Sequence, residues 1–210
     1  IREDGKFVAE TAGNYLITST AGQRSTSIPV VIYDRGIQRE VINVGTGLVQ
    51  ERHTSDFWVF EGVDKRDYAV SGTWGADGTT YFWDVTDPAQ IRKIDSIKVD
   101  ARTVNDVKVS EDGRISVISR EGASSRRNGI VIIDTTNPYD VNIISEYTTN
   151  LTGGVHNVFI YQDHVFALSN GERFYVINIE DPKNPYEVGM FEIGEKGQAI
   201  HDVWIEDGIA

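Results

Sequence analysis

The chain has 210 residues, of which 40% are hydrophobic and 25% charged, a composition typical of a folded globular protein rather than a disordered one. Its 20 Lys and Arg residues against 32 Asp and Glu residues give a net charge of −12, which argues against nucleic acid or an anionic membrane surface as partner, because both require a basic surface. The absence of cysteine excludes disulfides, thiolate metal sites and cysteine nucleophiles.

The two ends of the chain point to a longer protein. The sequence begins at Ile1 without a methionine and stops at Ala210, inside a stretch with strand character. We therefore expect a fragment whose targeting segment is absent. There is no run of about 18 apolar residues, so we expect no direct membrane insertion in this segment.

Residues 1–35 are predicted to be the C-terminal part of an Ig-like β-sandwich. The letters "AGNY" place Tyr15 at the start of an alternating strand, as in a tyrosine corner. The runs "YLITSTAG" and "RSTSIPVVIYD" predict a hairpin with Gly22 in its turn. The stretch resembles the last strands of bacterial Ig-like domains, and it is too short for the roughly seven strands of a whole sandwich.

Residues 36–52 are predicted to connect this module to the rest of the chain. Within them, "EVINVG" resembles the later phrase "EVGMFEIG", which has the character of an outer strand. Our hypothesis is that residues 38–45 supply the outer strand of a blade whose remainder lies outside this sequence, which would remove an open sheet edge.

From residue 53 onward the sequence repeats itself. One column holds Asp56, Asp106, Asn157 and Asp202, spaced by 50, 51 and 45 residues. A second column holds the phrases "DVTDP", "DTTNP" and "NIEDP", which begin 28, 28 and 21 residues after the first three members. Two columns in nearly constant phase are typical of a repeat architecture.

Each unit is predicted to form four short strands rich in Val, Ile, Phe and Tyr, separated by Gly, Asn, Asp and Pro. The third strand is almost wholly apolar and is expected to be buried on both faces, whereas the fourth alternates and is expected at an edge. Four-stranded units of this length predict an all-β protein built of β-propeller blades, with a solenoid of stacked sheets as the alternative. The predicted units are 53–99, 100–150, 151–196 and the start of a next unit at 197–210.

The repeat resembles the bacterial LVIVD-repeat β-propellers over roughly residues 38–210. The phrases that carry this resemblance are "WDVTDP", "VIIDTTNP" and "INIEDPKNP", with the "HNV" and "HDV" openings of the first strands. The sequence departs from the family by having Asn in place of Asp at positions 137, 157 and 178. The resemblance implies an exported bacterial protein, located in the periplasm or at the cell surface.

The first strand of each propeller blade lines the central channel, so symmetry predicts that the repeated polar residues gather at the channel mouth. This predicted ring comprises Asp56, Asn105, Asp106, His156, Asn157, His201 and Asp202. One interpretation is structural: a buried carboxylate accepts backbone N–H bonds from the neighbouring blade. The other is a ligand or metal site, in which His156 and His201 bind a metal ion with aspartate support.

The loops between second and third strands open on the same face and predict a second group of contact residues. These binding candidates are Trp74, Arg120, Glu121, Arg126, Arg127 and Asn170. We expect a non-catalytic exported module that contacts a protein, a glycan or another envelope component through this face. The alternatives are a metal-dependent oxidase or hydrolase with its metal at the channel mouth, and an architectural subunit of a larger envelope complex.

Overall fold

The structure is a computed structural model, and it describes residues 6–9, 11–34, 36, 40–194 and 197–210. The chain separates into two compact units, Ile1–Asn43 and Val44–Ala210. The described residues form fourteen β-strands and contain no helix. The protein is all-β, as its sequence predicts.

The first unit contains a two-stranded antiparallel hairpin, β1 (Gly13–Ala21) and β2 (Arg24–Ile32). Its turn is at Gly22, whose φ of 61° lies in the left-handed region that glycine adopts without steric cost. The hydroxyl of Tyr15 donates a 2.8 Å hydrogen bond to the carbonyl of Thr11, four residues upstream. The predicted hairpin and its turn are therefore confirmed.

The second unit contains three four-stranded antiparallel sheets, each made from consecutive strands. Sheet 1 consists of β3 (His53–Glu61), β4 (Asp67–Trp74), β5 (Thr79–Asp84) and β6 (Arg92–Lys98). Sheet 2 consists of β7 (Val107–Val109), β8 (Ile115–Arg120), β9 (Gly129–Asp134) and β10 (Asn142–Tyr147). Sheet 3 consists of β11 (Val155–Tyr161), β12 (His164–Ser169), β13 (Arg173–Asn178) and β14 (Tyr186–Glu192). This is the blade pattern that the repeat predicts.

The core lies between successive sheets. Phe82 of sheet 1 and Ile118 of sheet 2 belong to one buried cluster, and Val117 of sheet 2 and Ile177 of sheet 3 belong to the next. Strands β5 and β9 are buried along almost their whole length, because each is hydrogen-bonded on both edges and packed on both faces. Each sheet therefore provides apolar surface for the core shared with the sheet beside it.

The repeated "DxxDP"-type phrase forms a double Asx turn after each third strand. Side-chain oxygens accept backbone N–H bonds from the residue two positions on, which fixes the turn locally. The six bonds, of 2.9–3.2 Å, have as acceptors Asp84, Asp87, Asp134, Asn137, Asn178 and Asp181. Asn137 and Asn178 make the same bond as the aspartates, since an amide oxygen is an equivalent acceptor.

The described part of the connector contains no strand between residues 40 and 52. Instead the chain approaches sheet 1 closely: a Cβ at Gly47 would meet the ring of Trp83 at 3.2 Å, and Val49 packs against the same apolar cluster. The predicted outer strand at 38–45 is thus not formed within the described residues, and positions 38 and 39 lie outside them. In the last predicted unit, Val203 and Ile205 are buried, and only the bridge between Glu206 and Ile209 is formed.

Candidate functional site

Two of the three first strands, β3 and β11, carry their polar residues at an irregularity. The pairing of β3 with β4 shifts between Thr54 and Phe57, and that of β11 with β12 shifts between Val155 and Val158. A bulge of this kind redirects the side chains that it contains. The predicted ring residues Asp56, His156 and Asn157 lie inside these bulges.

The segment that joins β6 of sheet 1 to β7 of sheet 2 lies beside the loop between β8 and β9. Arg102 N donates to the carbonyl of Glu121 at 2.9 Å, and Thr103 forms an isolated antiparallel bridge with Glu121. The loop of sheet 1 reaches the same place, because Ala76 N donates to the carbonyl of Arg102 at 2.7 Å. We call this loop-rich end of the sheets the loop face.

Two of the ring aspartates tie neighbouring first strands together. Asp106 Oδ2 accepts the backbone N–H of Val158 in sheet 3 at 2.8 Å, and Asp56 Oδ2 accepts that of Val107 in sheet 2 at 3.4 Å. Asn105 Nδ2 also donates to the carbonyl of His156 at 3.0 Å. These are the bonds that the structural interpretation of the repeated pair predicts.

A lysine lies between the two aspartates. Lys108 Nζ forms ion pairs with Asp56 Oδ2 at 3.1 Å and with Asp106 Oδ1, and it lies 5.0 Å from the centre of the Trp58 ring. Burial, and then the hydrogen bond with Asp56, raises the pKa of Asp106 to about 7. Burial also opposes ionisation of Asp56, but its hydrogen bond with Asp106 and the charge of Lys108 lower its pKa. The two carboxyl groups therefore titrate as a coupled pair, in which Asp106 has the higher proton affinity.

The third and fourth members of the column behave differently. Asn157 Oδ1 is buried without a hydrogen-bond partner among the described residues. Asp202 is exposed and accepts only the N–H of the next residue, Val203, at 2.8 Å. The inter-sheet bond made by Asp56 and Asp106 is therefore not repeated at these two positions.

An aromatic cluster that the sequence analysis did not single out lies two residues beyond the polar column. Trp58 lies 6.5 Å from both Phe159 and Trp204, measured between ring centres, and Phe159 lies 4.8 Å from Trp204. These residues and Lys108 occupy one repeat column, the second position after Asp56, Asp106, Asn157 and Asp202. The repeated spacing of this column could have indicated, from the sequence alone, that the first strands of the units converge at these residues.

The two predicted histidines meet on the loop face. The rings of His156 and His201 are 4.9 Å apart with an interplanar angle of 76°, and His156 Nδ1 lies 3.1 Å from Glu121 Oε1. Together with Arg102 and Asn170 they line a groove of about 480 Å³, which we call the channel-mouth groove. Two predicted binding residues, Glu121 and Asn170, are therefore placed beside the predicted histidines.

Arg102 was missed by the sequence analysis, although its position is repeated. It stands four residues before Asp106, just as Arg52 stands four residues before Asp56. Its side chain is exposed and its guanidinium has no hydrogen-bond or ion-pair partner among the described residues. Arg102 is thus a free cation at the edge of the channel-mouth groove.

The side chains that line the groove define the chemistry available to it. None of the described residues lining it is Ser, Thr, Cys, Lys or Tyr, and its potentially reactive side chains are Glu121, His156 and His201. No group of three or more His, Asp or Glu within the described ranges is arranged to hold a metal ion. What remains is a guanidinium, two imidazoles, a carboxylate and an amide, which suit hydrogen-bonded recognition.

The other predicted contact residues fall into two environments. Trp74 is 55% exposed in a second groove beside His53, and Arg126 and Arg127 are exposed in the loop that follows β8. Arg120 differs from expectation, because it is only 3% exposed and its Nη1 donates to Glu146 Oε2 at 2.8 Å. Arg120 faces the core that sheets 1 and 2 share and is not a surface contact residue.

Another groove, of about 700 Å³, lies at the opposite end of sheets 2 and 3. Three of its charged side chains, those of Asp112, Arg114 and Asp134, are engaged in or beside turns. Asp112 Oδ1 accepts the N–H of Arg114 at 3.1 Å, and Asp134 Oδ1 accepts that of Thr136 at 2.9 Å. We place the candidate site on the loop face instead, because the repeated polar residues of the first strands and the two predicted histidines converge there.

Comparisons with known proteins give a fold and nothing finer. No family model matches the chain. No curated protein matches it. Among solved structures it is similar to a hypothetical selenium-binding protein from Sulfolobus tokodaii, with a TM-score of 0.54 and 14% sequence identity. The match covers 67% of this chain and 39% of that protein, so the chain spans well under half of its neighbour's length. At this identity the likeness shows the fold alone.

Proposed function

We propose that this chain is a non-catalytic binding module that contacts a protein, glycan or envelope partner through its loop face. One observation carries the proposal: the channel-mouth groove brings together the unpartnered cation Arg102, the exposed ring of His201 and the exposed amide of Asn170, all open to a ligand. Asp56 and Asp106, by contrast, are occupied by inter-sheet bonds. The groups left for a ligand are therefore those at the rim.

The charge distribution supports a particular kind of partner. The chain carries a net charge of −12, yet Arg102, Arg126 and Arg127 all lie on the loop face without an ion-pair partner among the described residues. Isolated guanidinium groups recognise single carboxylates or hydroxyl-rich groups, whereas a polyanion requires a continuous basic surface. A protein or glycan surface fits this arrangement better than nucleic acid.

The identity of the module and its location rest on resemblance. We propose LVIVD-type propeller blades preceded by part of an Ig-like domain, in a protein exported to the periplasm or surface of a bacterium. The double Asx turns and the repeated first-strand carboxylates support the blades, and the Tyr15 hydroxyl bonded to Thr11 supports the Ig-like part. The described segments contain no helix with the length and apolar character that a bilayer crossing requires.

A metal-dependent oxidase or hydrolase is the second candidate, favoured by the 4.9 Å separation of the His156 and His201 rings. Glu121 would be the nearest carboxylate, but its oxygen is already 3.1 Å from His156 Nδ1. An architectural role is the third candidate, favoured by the exposed apolar side chains of β14, including Val188, Met190 and Phe191.

The proposal is tested by binding assays on the wild type and two matched double variants. The probes are purified bacterial cell-wall sacculi and an array of neutral and acidic glycans. We expect the wild type to bind at least one probe, with binding unchanged by EDTA. Arg102→Ala/His201→Ala should weaken that binding by about tenfold, the typical effect of removing contact residues from a site.

The control is Arg114→Ala/His164→Ala, which removes the same residue types from turns at the opposite end of the sheets. It should bind like the wild type. The proposal fails if no probe binds, if both double variants bind equally, or if a bound probe is chemically converted. Loss of binding in EDTA would favour the metal-dependent alternative.

A further inference from the structure

A second groove on the loop face is built around an exposed tryptophan. Residues 49–53 and 74–77 line a depression of about 530 Å³, which we call the Trp74 groove. Trp74 is 55% exposed, and the ring of His53 lies 6.3 Å away at 58° to it. A large aromatic side chain left this open provides a flat apolar platform with a polar N–H at its edge.

The exposure of Trp74 does not arise from a loose loop. Gly75 N donates to Thr103 Oγ1 at 3.2 Å, and Ala76 N donates to the carbonyl of Arg102 at 2.7 Å. Within the loop, Thr79 Oγ1 donates to Asp77 Oδ1 at 2.8 Å. The backbone that carries the ring is therefore held in place before a ligand arrives, which reduces the entropy lost on binding.

The charged groups of the Trp74 groove neutralise one another. Asp77 pairs with Lys98 at 2.8 Å and lies 3.8 Å from Arg52, and Glu51 pairs with Lys93 at 3.5 Å. The polar side chains that remain without a hydrogen-bond partner in the described part of the chain are those of Gln50, His53 and Trp74. An ionic ligand would find no free opposite charge here.

An open aromatic platform beside neutral hydrogen-bonding groups is complementary to a pyranose ring. Such a ring has an apolar face formed by its axial C–H groups and a rim of hydroxyls. We infer that the Trp74 groove binds a neutral saccharide, whose sugar ring stacks on Trp74 while its hydroxyls bond to Gln50 and His53. This inference rests on the proposed function and names the ligand class of one part of the loop face.

The test is titration of the purified chain with three neutral oligosaccharides, cellohexaose, maltohexaose and chitohexaose, followed by calorimetry and tryptophan fluorescence. We expect at least one to bind and to change the fluorescence. Trp74→Ala should weaken that binding by about tenfold or more, and Trp74→Phe by about threefold, because a smaller ring still stacks.

Trp204 supplies the matched control, since it is 60% exposed but packs on Trp58 and Phe159 instead of lining this groove. Trp204→Phe should bind the oligosaccharide within about twofold of the wild type. Far-ultraviolet circular dichroism establishes that each variant is folded.

Several outcomes overturn the inference. It is wrong if none of the three oligosaccharides binds, or if Trp74→Ala binds as tightly as the wild type. If an oligosaccharide binds and is lost only in Arg102→Ala/His201→Ala, the proposed function stands and the Trp74 groove is not the sugar site. If sacculi or acidic glycans bind but no neutral oligosaccharide does, the inference again fails while the proposed function survives.

Discussion

Asp106 Oδ2 accepts the backbone N–H of Val158 at 2.8 Å and thereby joins the first strands of sheets 2 and 3. Asp106 is 2% exposed, and its other oxygen accepts the N–H of Val107 at 2.9 Å and contacts Lys108. A single carboxylate thus satisfies two backbone donors and one ammonium group beneath the loop face. This buried junction fixes the first strand that carries His156, a lining residue of the channel-mouth groove.

Asp106→Ala should destabilise the protein by about 2–4 kcal/mol, because it leaves the buried N–H of Val158 without an acceptor and removes one of the two carboxylates that bind Val107 N–H and the Lys108 ammonium. Asp202→Ala removes the equivalent residue of the last repeat, which is exposed and bonds only to Val203, so it should cost less than about 1 kcal/mol. Urea unfolding followed by tryptophan fluorescence measures both. Equal losses in the two variants would contradict the assigned roles.

The raised pKa of Asp106 predicts an unusual pH dependence of stability. Between the ordinary aspartate value and about 7, the folded protein holds a proton on Asp106 that the unfolded chain has released. The free energy of unfolding should therefore fall as the pH rises from about 4 to about 7, by about 1–3 kcal/mol. The lowered pKa of Asp56 acts in the opposite sense and only at more acidic pH.

We would measure urea unfolding of the wild type and of Asp106→Asn at several pH values across this window. The comparison separates the titration of Asp106 from that of the four histidines of the chain, which both proteins share. The asparagine cannot titrate, so its stability should lose the fall assigned to Asp106. If the two proteins show parallel profiles, the buried junction does not hold the proton.

Arg120 and Glu146 give a third prediction, since Arg120 is buried and Glu146 is its ion-pair partner. Glu146→Ala should destabilise by about 2–3 kcal/mol, because a buried guanidinium then has no counter-ion. Arg120→Met removes the charge itself and keeps most of the volume, so it should cost clearly less. Thermal unfolding ranks the two, and a larger loss in Arg120→Met would contradict the burial of an otherwise unsatisfied charge.

The hydroxyl of Tyr139, in the turn after β9, reaches into sheet 1 and donates to Asp84 Oδ2 at 2.7 Å. Burial opposes ionisation of Asp84, but hydrogen bonds from Tyr139, Thr86 and Arg92 hold its pKa well below the usual range. Tyr139→Phe should cost about 1 kcal/mol, since Arg66 and Arg92 still bind the carboxylate. Denaturant unfolding at neutral pH measures this. A loss above about 3 kcal/mol would contradict the view that Arg66 and Arg92 compensate for the missing hydroxyl.

Local rules explain what the sequence predicts well. The double Asx turns depend on side chains bonding to the backbone two residues away, so Asp84 or Asn137 can be assigned from spacing alone. The hairpin around Gly22 is equally local. The four-strand repeat follows from apolar periodicity and turn residues, which are visible without knowledge of distant contacts.

The parts of the site that sequence reasoning missed depend on how separate sheets pack. Periodicity places Arg120 on a strand end, but only the position of Glu146 on β10 determines that it is buried and paired. Trp58 and Trp204 stand 146 residues apart in the chain, and their 6.5 Å separation follows from the convergence of first strands. Arg102 repeats the position of Arg52, but the two arginines line different grooves. Only the packing of the sheets determines which groove each one lines.

The most direct test of the central claim, that the loop face is the binding face, is amide hydrogen exchange with and without the tightest-binding probe. The account predicts protection in the loop-face segments alone: 74–79, 121–129, 152–156, 170–172 and 199–201. The turns at 110–114 and 161–164, at the opposite end of the sheets, should exchange at the same rate in both samples. Protection confined to those turns or to β14, with none in the loop-face segments, would contradict it.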